Sequence, residues 1–453
     1  MKQSAVQPAK SVTRRQFLAT AAAVSAYTIV PRHVLGAGET PPSEKLNIAG
    51  IGIGGMGAAN LENLKTQNIV ALCDVDPSYA AKTIKKHPAA RVWTDYREML
   101  EQQKDIEGVV IATPDHTHAV IALAAMKAGK HVYCQKPLTH DIHEARTLAQ
   151  AARQSRVATQ MGNQGHSTEG IRLICEWIWA GAIGEVREVD AWCDLTYYPW
   201  GHAYWSSKWA VRPTDTPPLP DKLNWDLWLG PAKERPYHPA YHPRVWRCWW
   251  DFGCGMMGDR GAHTFDAAVW ALKLGHPASI EATSCGRNAD AHPLSAMVTY
   301  RFPARDNLPP LKLTWWEGLR APRPEELDDD LEMHPEGGLV FNGSKGKIMA
   351  GVYGQRPILM PSALDKDYKR PPRTIPRIPS ENHELDWVRA ARTGTPAVSN
   401  FEYAAHLTEI CLLGNVAKRA DARVLWDGPN MKVTNLPEAN QYVRTEYRQG
   451  WKL

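Results

Sequence analysis

Three side chains of types that move protons stand out in the sequence: Lys136, which precedes a proline, and Asp259 and His263, which are four residues apart. An amine, a carboxylate and an imidazole in one site can take the proton of a hydroxyl group and stabilise the charge that develops on its oxygen. If a helix begins at Asp259 and runs to about Leu274, Asp259 and His263 share a face, and the carboxylate can orient the imidazole. The same pair is typical of a helix cap and a packed histidine, so its meaning depends on the rest of the chain.

A glycine-rich turn indicates what such a site would work with. An apolar run of strand length, Leu46–Ile51, is followed at once by a G-x-G-x-x-G motif. The motif consists of Gly52, Ile53, Gly54, Gly55, Met56 and Gly57. At this position the first glycine permits a tight turn, the second a close approach to a pyrophosphate, and the third the packing of the next helix on the strand. We therefore expect these six residues to bind a dinucleotide at the N-terminus of that helix.

The residue that ends the next strand indicates which dinucleotide is bound. A predicted helix, Ala58–Thr66, leads to a second apolar strand, Asn68–Cys73, and then to Asp74. A carboxylate at this position accepts hydrogen bonds from the ribose 2′-hydroxyl and repels a 2′-phosphate. The sequence thus predicts NAD rather than NADP. Asp76 is close enough to share this role, and a plain turn is the alternative for both residues.

Strands and helices then alternate as far as Met161, which predicts a doubly wound parallel sheet. We place this Rossmann domain at residues 44–162. Loops that follow the carboxyl ends of its strands line the ligand crevice. They supply further cofactor-binding candidates, Thr113, Pro114, His116, Gln135 and Lys136, and substrate-binding candidates, Asn163, Gln164 and His166.

Four segments together resemble the glucose–fructose oxidoreductase / inositol dehydrogenase (Gfo/Idh/MocA) superfamily. They are the glycine motif, the loop that begins Thr113-Pro114, the stretch Cys134–Pro137 and the stretch Gly258–Asp266. The resemblance implies a Rossmann domain joined to a second α/β domain with an open sheet, and oxidation or reduction of sugar hydroxyl carbons with NAD or NADP. It also implies that Lys136, Asp259 and His263 are catalytic and contact the substrate, and we take His263 as the base.

One residue departs from the family pattern. Members of the family usually have glutamate before the lysine, whereas this chain has Gln135. The change removes a negative charge beside Lys136, which would alter proton transfer by that lysine. The alternative is that Gln135 only preserves a hydrogen bond.

Residues 163–453 are predicted to form the second domain, which binds substrate and mediates oligomerisation. Its strand-like stretches predict an α+β fold with a large open, mostly antiparallel sheet. They are Glu185–Leu195, Ser279–Ser284, Ala296–Phe302 and Leu311–Trp316. Nine of the eighteen tryptophans lie between Trp192 and Trp250. Flat aromatic faces pack on pyranose rings, which favours a sugar or glycoside as substrate, although core filling is the alternative for any one tryptophan.

Composition argues against other classes of partner. The net charge of +5 comes from basic and acidic residues scattered along the chain, so nucleic acid is not expected. His238 and His242 have H-x-x-x-H spacing, but the prolines around them indicate an extended loop, so no metal is expected. We expect a homo-oligomer.

The N-terminus resembles a twin-arginine export signal at residues 1–38. Arg14 and Arg15 come just before an apolar run, Phe17–Val30, that is too short to span a bilayer. Such a signal implies export of the folded protein to the periplasm, with no membrane attachment once it has been removed.

Export and NAD binding together constrain the chemistry. Outside the inner membrane there is no soluble NAD pool, so we expect a tightly bound cofactor that is regenerated within each catalytic cycle. A sugar oxidoreductase that reduces a second substrate meets this requirement. A redox-neutral glycoside hydrolase or lyase that acts through a transient keto-sugar also meets it, with His263 or His116 taking the second proton. A protein that binds NAD and carbohydrate without turnover is the remaining alternative.

Overall fold

The structure is a computed structural model that describes residues 45–197 and 207–453. The predicted signal, residues 1–38, lies outside the described residues. In the part of the chain that is described, no helix has the length and apolarity needed to cross a membrane.

The first sheet has six parallel strands in the order β3-β2-β1-β4-β5-β6. The strands are β1 (Asn47–Ile51), β2 (Asn68–Cys73), β3 (Arg91–Trp93), β4 (Gly108–Ile111), β5 (His131–Cys134) and β6 (Thr159–Met161). The central strand β4 is buried along its whole length because helices cover both faces of a parallel sheet. This arrangement confirms the predicted doubly wound Rossmann fold.

Five helices accompany this sheet. They are α1 (Met56–Asn63), α2 (Ala81–Lys86), α3 (Tyr96–Gln102), α4 (Asp115–Lys127) and α5 (Ile142–Gln154). Helix α4 begins at Asp115, directly after Thr113-Pro114. Asp115 and His116 therefore belong to its first turn.

The second sheet has nine strands in the order β13-β12-β11-β7-β10-β9-β8-β14-β15. They are β7 (Val186–Cys193), β8 (Ser279–Cys285), β9 (Ser295–Phe302), β10 (Leu311–Glu317), β11 (Gly338–Gly343), β12 (Lys347–Gly351), β13 (Ile358–Met360), β14 (Val424–Asp427) and β15 (Lys432–Val433). Only β7 and β10 pair in parallel, so the sheet is mostly antiparallel, as the sequence predicted.

The helices of the second part of the chain connect the two sheets. They are α6 (Glu169–Trp179), α7 (Trp225–Leu229), α8 (Ala262–Ala271), α9 (Ser362–Asp367), α10 (His383–Thr393) and α11 (Phe401–Ala420). The long helix α11 packs against α5 on one side and against β8 on the other. A buried ion pair between Lys418 on α11 and Glu317 on β10, 2.9 Å apart, ties this helix to the second sheet.

Helix α10 returns to the first domain after the chain has completed most of the second. Trp387 on α10 is fully buried in the same cluster as Leu46 and Val110 of the first sheet. A side chain at Gly108 would collide with its ring, because a Cβ there would lie 2.8 Å from the ring edge. The first core therefore includes residues outside the predicted range 44–162.

Candidate active site

The glycine turn between β1 and α1 has the geometry that its spacing predicted. Gly52 has a φ of +76°, which favours glycine, and its N–H donates to the Cys73 carbonyl over 2.9 Å. A Cβ on Gly57 would lie 2.2 Å from the Gly52 carbonyl oxygen. Gly52 thus makes the tight turn, and Gly57 lets α1 pack closely against it.

Two other residues of the motif differ in their surroundings. A Cβ on Gly54 would lie 2.1 Å from the ring of Tyr79, so the packing of that ring requires glycine here. Ile53 is 1% exposed in the core of the first domain, and its carbonyl accepts a hydrogen bond from Thr83. The prediction that Ile53 binds the cofactor is wrong as regards its side chain, because that side chain points into the apolar core.

Asp74 lies at the end of β2, facing the glycine turn. Its carboxylate accepts hydrogen bonds from the N–H groups of Ile53, over 2.9 Å, and Asp76, over 3.0 Å. Burial raises the pKa of Asp74 to about 6 even though these hydrogen bonds oppose the shift. The Asp76 carboxylate instead accepts from the N–H groups of Ser78 and Tyr79 and pairs with His242, so of the two it is Asp74 that faces the turn.

A cavity of about 1270 Å³, including its mouth open to solvent, lies beside this turn and reaches Lys136 and Asp259, whereas His263 is not among its lining residues. Ten of the predicted site residues line it: Gly52, Gly54, Gly55, Met56, Asp74, Thr113, Pro114, Gln135, Lys136 and Asp259. The carboxyl ends of β1, β2, β4 and β5 therefore bring these residues to one crevice, as expected for a doubly wound sheet.

Lys136 and Asp259 form an ion pair at the end of this cavity. The Lys136 ammonium donates to the Asp259 carboxylate and, over 3.0 Å, to the Asp259 carbonyl. Arg247 Nε lies 3.9 Å from the same carboxylate. Burial alone would raise the pKa of Asp259, but the charges of Lys136 and Arg247 outweigh burial and hold that pKa well below its usual range.

His263 lies on α8, one helical turn after Asp259. It is 3% exposed, and its ring meets that of Tyr353 edge to face with centroids 4.6 Å apart. Burial and the nearby positive charge of Lys136 lower the pKa of His263 well below its usual range. The imidazole is therefore neutral at neutral pH, and one of its ring nitrogens can accept a hydrogen bond.

The predicted contact between Asp259 and His263 is wrong. Residues Met257–Gly261 form a π-helical turn before α8, and the Asp259 carboxylate bonds to Lys136 instead of the imidazole. Within the described residues, Asp259 Oδ2 and His263 Nδ1 are buried and have no hydrogen-bond partner. Because buried polar atoms are normally satisfied, these two atoms fit a ligand that carries hydroxyl groups.

The structure corrects the role proposed for His116. Its two ring nitrogens lie 3.2 Å and 3.0 Å from the carbonyl oxygens of Phe252 and Trp228, and the side chain is 2% exposed. Burial lowers its pKa to about 3. His116 therefore does not contact the cofactor or serve as a second base, because it is enclosed between the helix start and the second domain.

The substrate-binding prediction for Asn163 and His166 is also wrong. Both side chains are buried and bond to the carboxylate of Asp266, over 2.9 Å and 2.8 Å. The Tyr403 hydroxyl donates to the same carboxylate. Asp266 thus fixes α8, the helix of His263, to the end of β6. Gln164 is half-buried and does not line the cavity.

The tryptophan-rich stretch mainly packs against itself. Trp225 and Trp228 stack with ring centroids 4.6 Å apart, and Trp249 is fully buried. Only Trp228 and Trp246 of this stretch line the cavity among the described residues. Core filling, the alternative considered from the sequence, is therefore the better description of most of these rings.

Sequence reasoning missed two charged residues of the cavity. Asp115 accepts a hydrogen bond from the Cys254 N–H over 2.9 Å, and burial raises its pKa to about 7. Arg247 comes from the tryptophan-rich stretch and carries no sequence signal that would relate it to Asp259. Asp115 lies in a loop that the sequence did identify, but its burial depends on contact with the second domain.

Gln135 belongs to a buried chain of amides rather than to an ion pair. Its side-chain N–H donates to Asn60 over 3.0 Å, and Asn60 donates in turn to Glu384 over 2.7 Å. The acidic group near Gln135 is therefore Glu384 on α10, which lies two hydrogen bonds away. The peptide between Lys136 and Pro137 is cis.

The donor set of the crevice fits a nicotinamide dinucleotide. Gly54 and the start of α1 line the cavity, and Asp74 offers a carboxylate to a ribose there. Among the described residues, no group of three or more histidine, cysteine or acidic side chains could hold a metal ion.

Curated proteins match part of this chain. A levoglucosan dehydrogenase from Pseudarthrobacter phenanthrenivorans is 30% identical over 156 residues, which are 32% of this chain and 39% of that protein. A glycosyl hydrolase family 109 protein from Stenotrophomonas maltophilia is 34% identical over 141 residues, 28% of this chain and 30% of that protein. The matches thus span about two fifths or less of the length of these relatives.

A solved structure matches over almost the whole fold. The WlbA dehydrogenase from Bordetella pertussis, in complex with NADH and UDP-GlcNAcA, has a TM-score of 0.58 with 15% identity. The match covers 84% of this chain and 99% of that one. At this identity the likeness establishes a shared fold.

Two family models match the two domains in turn. The NAD-binding Rossmann fold of the GFO_IDH_MocA oxidoreductase family matches residues 46–163, and the C-terminal alpha/beta domain of the same family matches residues 177–305. Together they cover more than half of the chain. The chain therefore belongs to the Gfo/Idh/MocA oxidoreductase family, and its first domain is the NAD-binding Rossmann domain of that family.

Proposed function

We propose that this protein oxidises a hydroxyl carbon of a sugar or glycoside with a tightly bound NAD. The observation that carries the proposal is the Lys136–Asp259 ion pair that lines the cavity, together with two buried polar atoms that have no partner, Asp259 Oδ2 and His263 Nδ1. A binding protein needs no such proton-transfer set next to a dinucleotide crevice. The levoglucosan dehydrogenase similarity supports a sugar as substrate.

The charges of these residues suit alcohol oxidation. His263 is neutral and can take the hydroxyl proton through an unpaired ring nitrogen. Asp259 is held ionised, so it can orient the hydroxyl by accepting its hydrogen bond and can keep the Lys136 ammonium in place. That ammonium stabilises the negative charge that develops on the oxygen. A bound nicotinamide would accept the hydride from the carbon.

Redox-neutral glycoside cleavage is the second candidate. Elimination next to a transient ketone needs a further group that removes a C–H proton. Asp115 lines the same cavity, and its pKa of about 7 suits a general base. It takes the place of His116, which is enclosed by backbone carbonyls. The similarity to a glycosyl hydrolase family 109 protein supports this candidate.

Released cofactor and products test the proposal directly. The purified protein is denatured, the released nucleotide is identified, and native protein is then incubated with panels of sugars and aryl glycosides. Nicotinamide reduction is followed at 340 nm, and products are followed by chromatography. Stable reduction upon addition of a sugar supports the oxidoreductase, and product release without accumulated NADH supports cleavage. Bound NAD with neither response would support a binding protein and contradict both.

The pH dependence of the reaction tests the role of His263. Because burial lowers its pKa well below 6.5, the imidazole stays in its base form as pH falls through 6.5. We expect kcat/KM for oxidation to remain level across this range. Loss of activity with a midpoint near pH 6.5 would count against His263 as the base. Because Asp115 also titrates near neutrality, the same midpoint must be found in the variant Asp115→Asn.

We also propose that the protein is exported through the twin-arginine route with its NAD bound. The paired arginines Arg14 and Arg15 before an apolar run support this location. Fractionation of cells that express the full chain should place it in the periplasm, and the double variant Arg14→Lys/Arg15→Lys should keep it in the cytoplasm. Equal distribution of both forms would exclude the route.

A further inference from the structure

One segment of the second domain bridges both sides of the dinucleotide crevice. We call residues 224–254 the cleft cover; it begins just before α7 and ends before the π-helical turn of Asp259. On the first side it contacts the loop after β2. The Asn224 N–H donates to the Val75 carbonyl over 2.9 Å, and His242 Nε2 pairs with the Asp76 carboxylate over 2.8 Å.

The other side of the cleft cover contacts the start of α4. The carbonyls of Trp228 and Phe252 lie within hydrogen-bond distance of the two ring nitrogens of His116. The Cys254 N–H donates to the Asp115 carboxylate over 2.9 Å. His116 therefore has a structural role, because it attaches the cleft cover to the first domain beside β4.

The two attachment points flank the path of a dinucleotide. In a Rossmann domain the adenosine half lies between the loop after β2 and the loop after β4. Trp228, His242 and Arg244 of the cover line the cavity between these loops. An occupant of the crevice would therefore lie between the glycine turn and the cleft cover.

The cover is also held from outside and is positively charged where it faces the cavity. Arg448 donates to the Gly230 carbonyl over 2.6 Å and to the Asp226 carboxylate over 2.7 Å. Arg244 and Arg247 line the cavity, with the Arg244 guanidinium carbon 5.9 Å from the centroid of the Tyr79 ring. Two cations on this surface complement the two negative charges of a dinucleotide pyrophosphate.

We infer that the cleft cover binds NAD and retains it, with the His242–Asp76 pair as the latch that must open for release and Arg244 as a cofactor-binding residue. The inference rests on the proposed function only in taking NAD as the resident dinucleotide. The latch is the side-chain contact of an attachment that also includes the Asn224–Val75 hydrogen bond, whereas the side beside β4 is held by the buried His116 side chain and by the Cys254–Asp115 hydrogen bond.

The rate of NAD release tests the cover without any sugar substrate. Full-length protein is loaded with adenine-labelled NAD, freed of excess ligand, and mixed with unlabelled NAD, and the label that stays bound is measured over time. We expect His242→Leu, which keeps the bulk of the side chain but cannot pair with Asp76, to release NAD at least tenfold faster than the natural protein. Arg244→Met should show faster release that depends less on salt concentration, because Arg247 remains.

His87→Leu is the matched control, because His87 is a half-buried histidine of the first domain that does not line the cavity. It should release NAD at the natural rate. Circular dichroism of each variant establishes that it is folded. Folded His242→Leu that keeps NAD as long as the natural protein would overturn the inference, as would equal acceleration in His87→Leu. A natural protein that holds no NAD contradicts the proposed function instead, and a failed sugar panel leaves the release result unaffected.

Discussion

Lys136→Met should lower kcat for sugar oxidation by roughly 10²–10³-fold, because it removes the cation that stabilises charge on the reacting oxygen. NAD should still bind, since the glycine turn and Asp74 are unchanged. The measurement is steady-state turnover together with the nucleotide content of the purified variant. A variant that retains more than a tenth of the natural kcat would show that Lys136 does not act on the reacting oxygen.

The same substitution should destabilise the fold by about 3 kcal/mol, because it leaves the buried Asp259 carboxylate without its partner. The double variant Lys136→Met/Asp259→Asn removes both charges and should recover most of this loss of stability. It should stay inactive. Denaturant unfolding of the natural protein and of the two variants measures the effect on folding stability. Turnover of the same three proteins measures the effect on the reaction.

Gly57→Ala should weaken NAD binding by roughly 30-fold, which corresponds to about 2 kcal/mol of binding free energy. A Cβ at this position would lie 2.2 Å from the Gly52 carbonyl oxygen, so α1 must move away from the turn that faces the pyrophosphate. Titration with NADH followed by fluorescence gives the dissociation constant.

Gly275→Ala is the matched control for this change. A Cβ at Gly275 would meet no atom within 4 Å, and its backbone does not require glycine. It should bind NADH like the natural protein. Equal binding by Gly57→Ala and Gly275→Ala would contradict the packing role assigned to the third glycine of the motif.

The sequence predicted elements whose pattern repeats over several residues, and it missed the short ones. β1 and β2 were placed closely because each is an apolar run next to a turn. The segment from α2 through β3 to α3 was not predicted, because a three-residue strand between helices of six and seven residues has too few positions to show a period. The last five strands of the second sheet, β11 to β15, were missed as well, and several of these are also short.

Side-chain roles were predictable where the motif itself fixes the backbone. The roles of Gly52 and Gly57 follow from local geometry. Gly52 has the predicted backbone conformation, and Gly57 has the predicted close contact. His116 and His166 do not, because their hydrogen-bond partners, Phe252 and Asp266, lie 136 and 100 residues away in sequence. Which polar group reaches a crevice and which is enclosed depends on such distant contacts, and spacing does not reveal them.

The position of Trp387 bears on when the nucleotide can bind during synthesis. The ring fills the core beneath β4, yet it is made more than two hundred residues after β6, the last strand of that sheet. A chain emerging from the ribosome can form the six-stranded sheet early, but its core stays incomplete until α10 has been translated. Loading of NAD therefore belongs to the end of synthesis, when both domains are present, rather than to the moment when the glycine turn first appears.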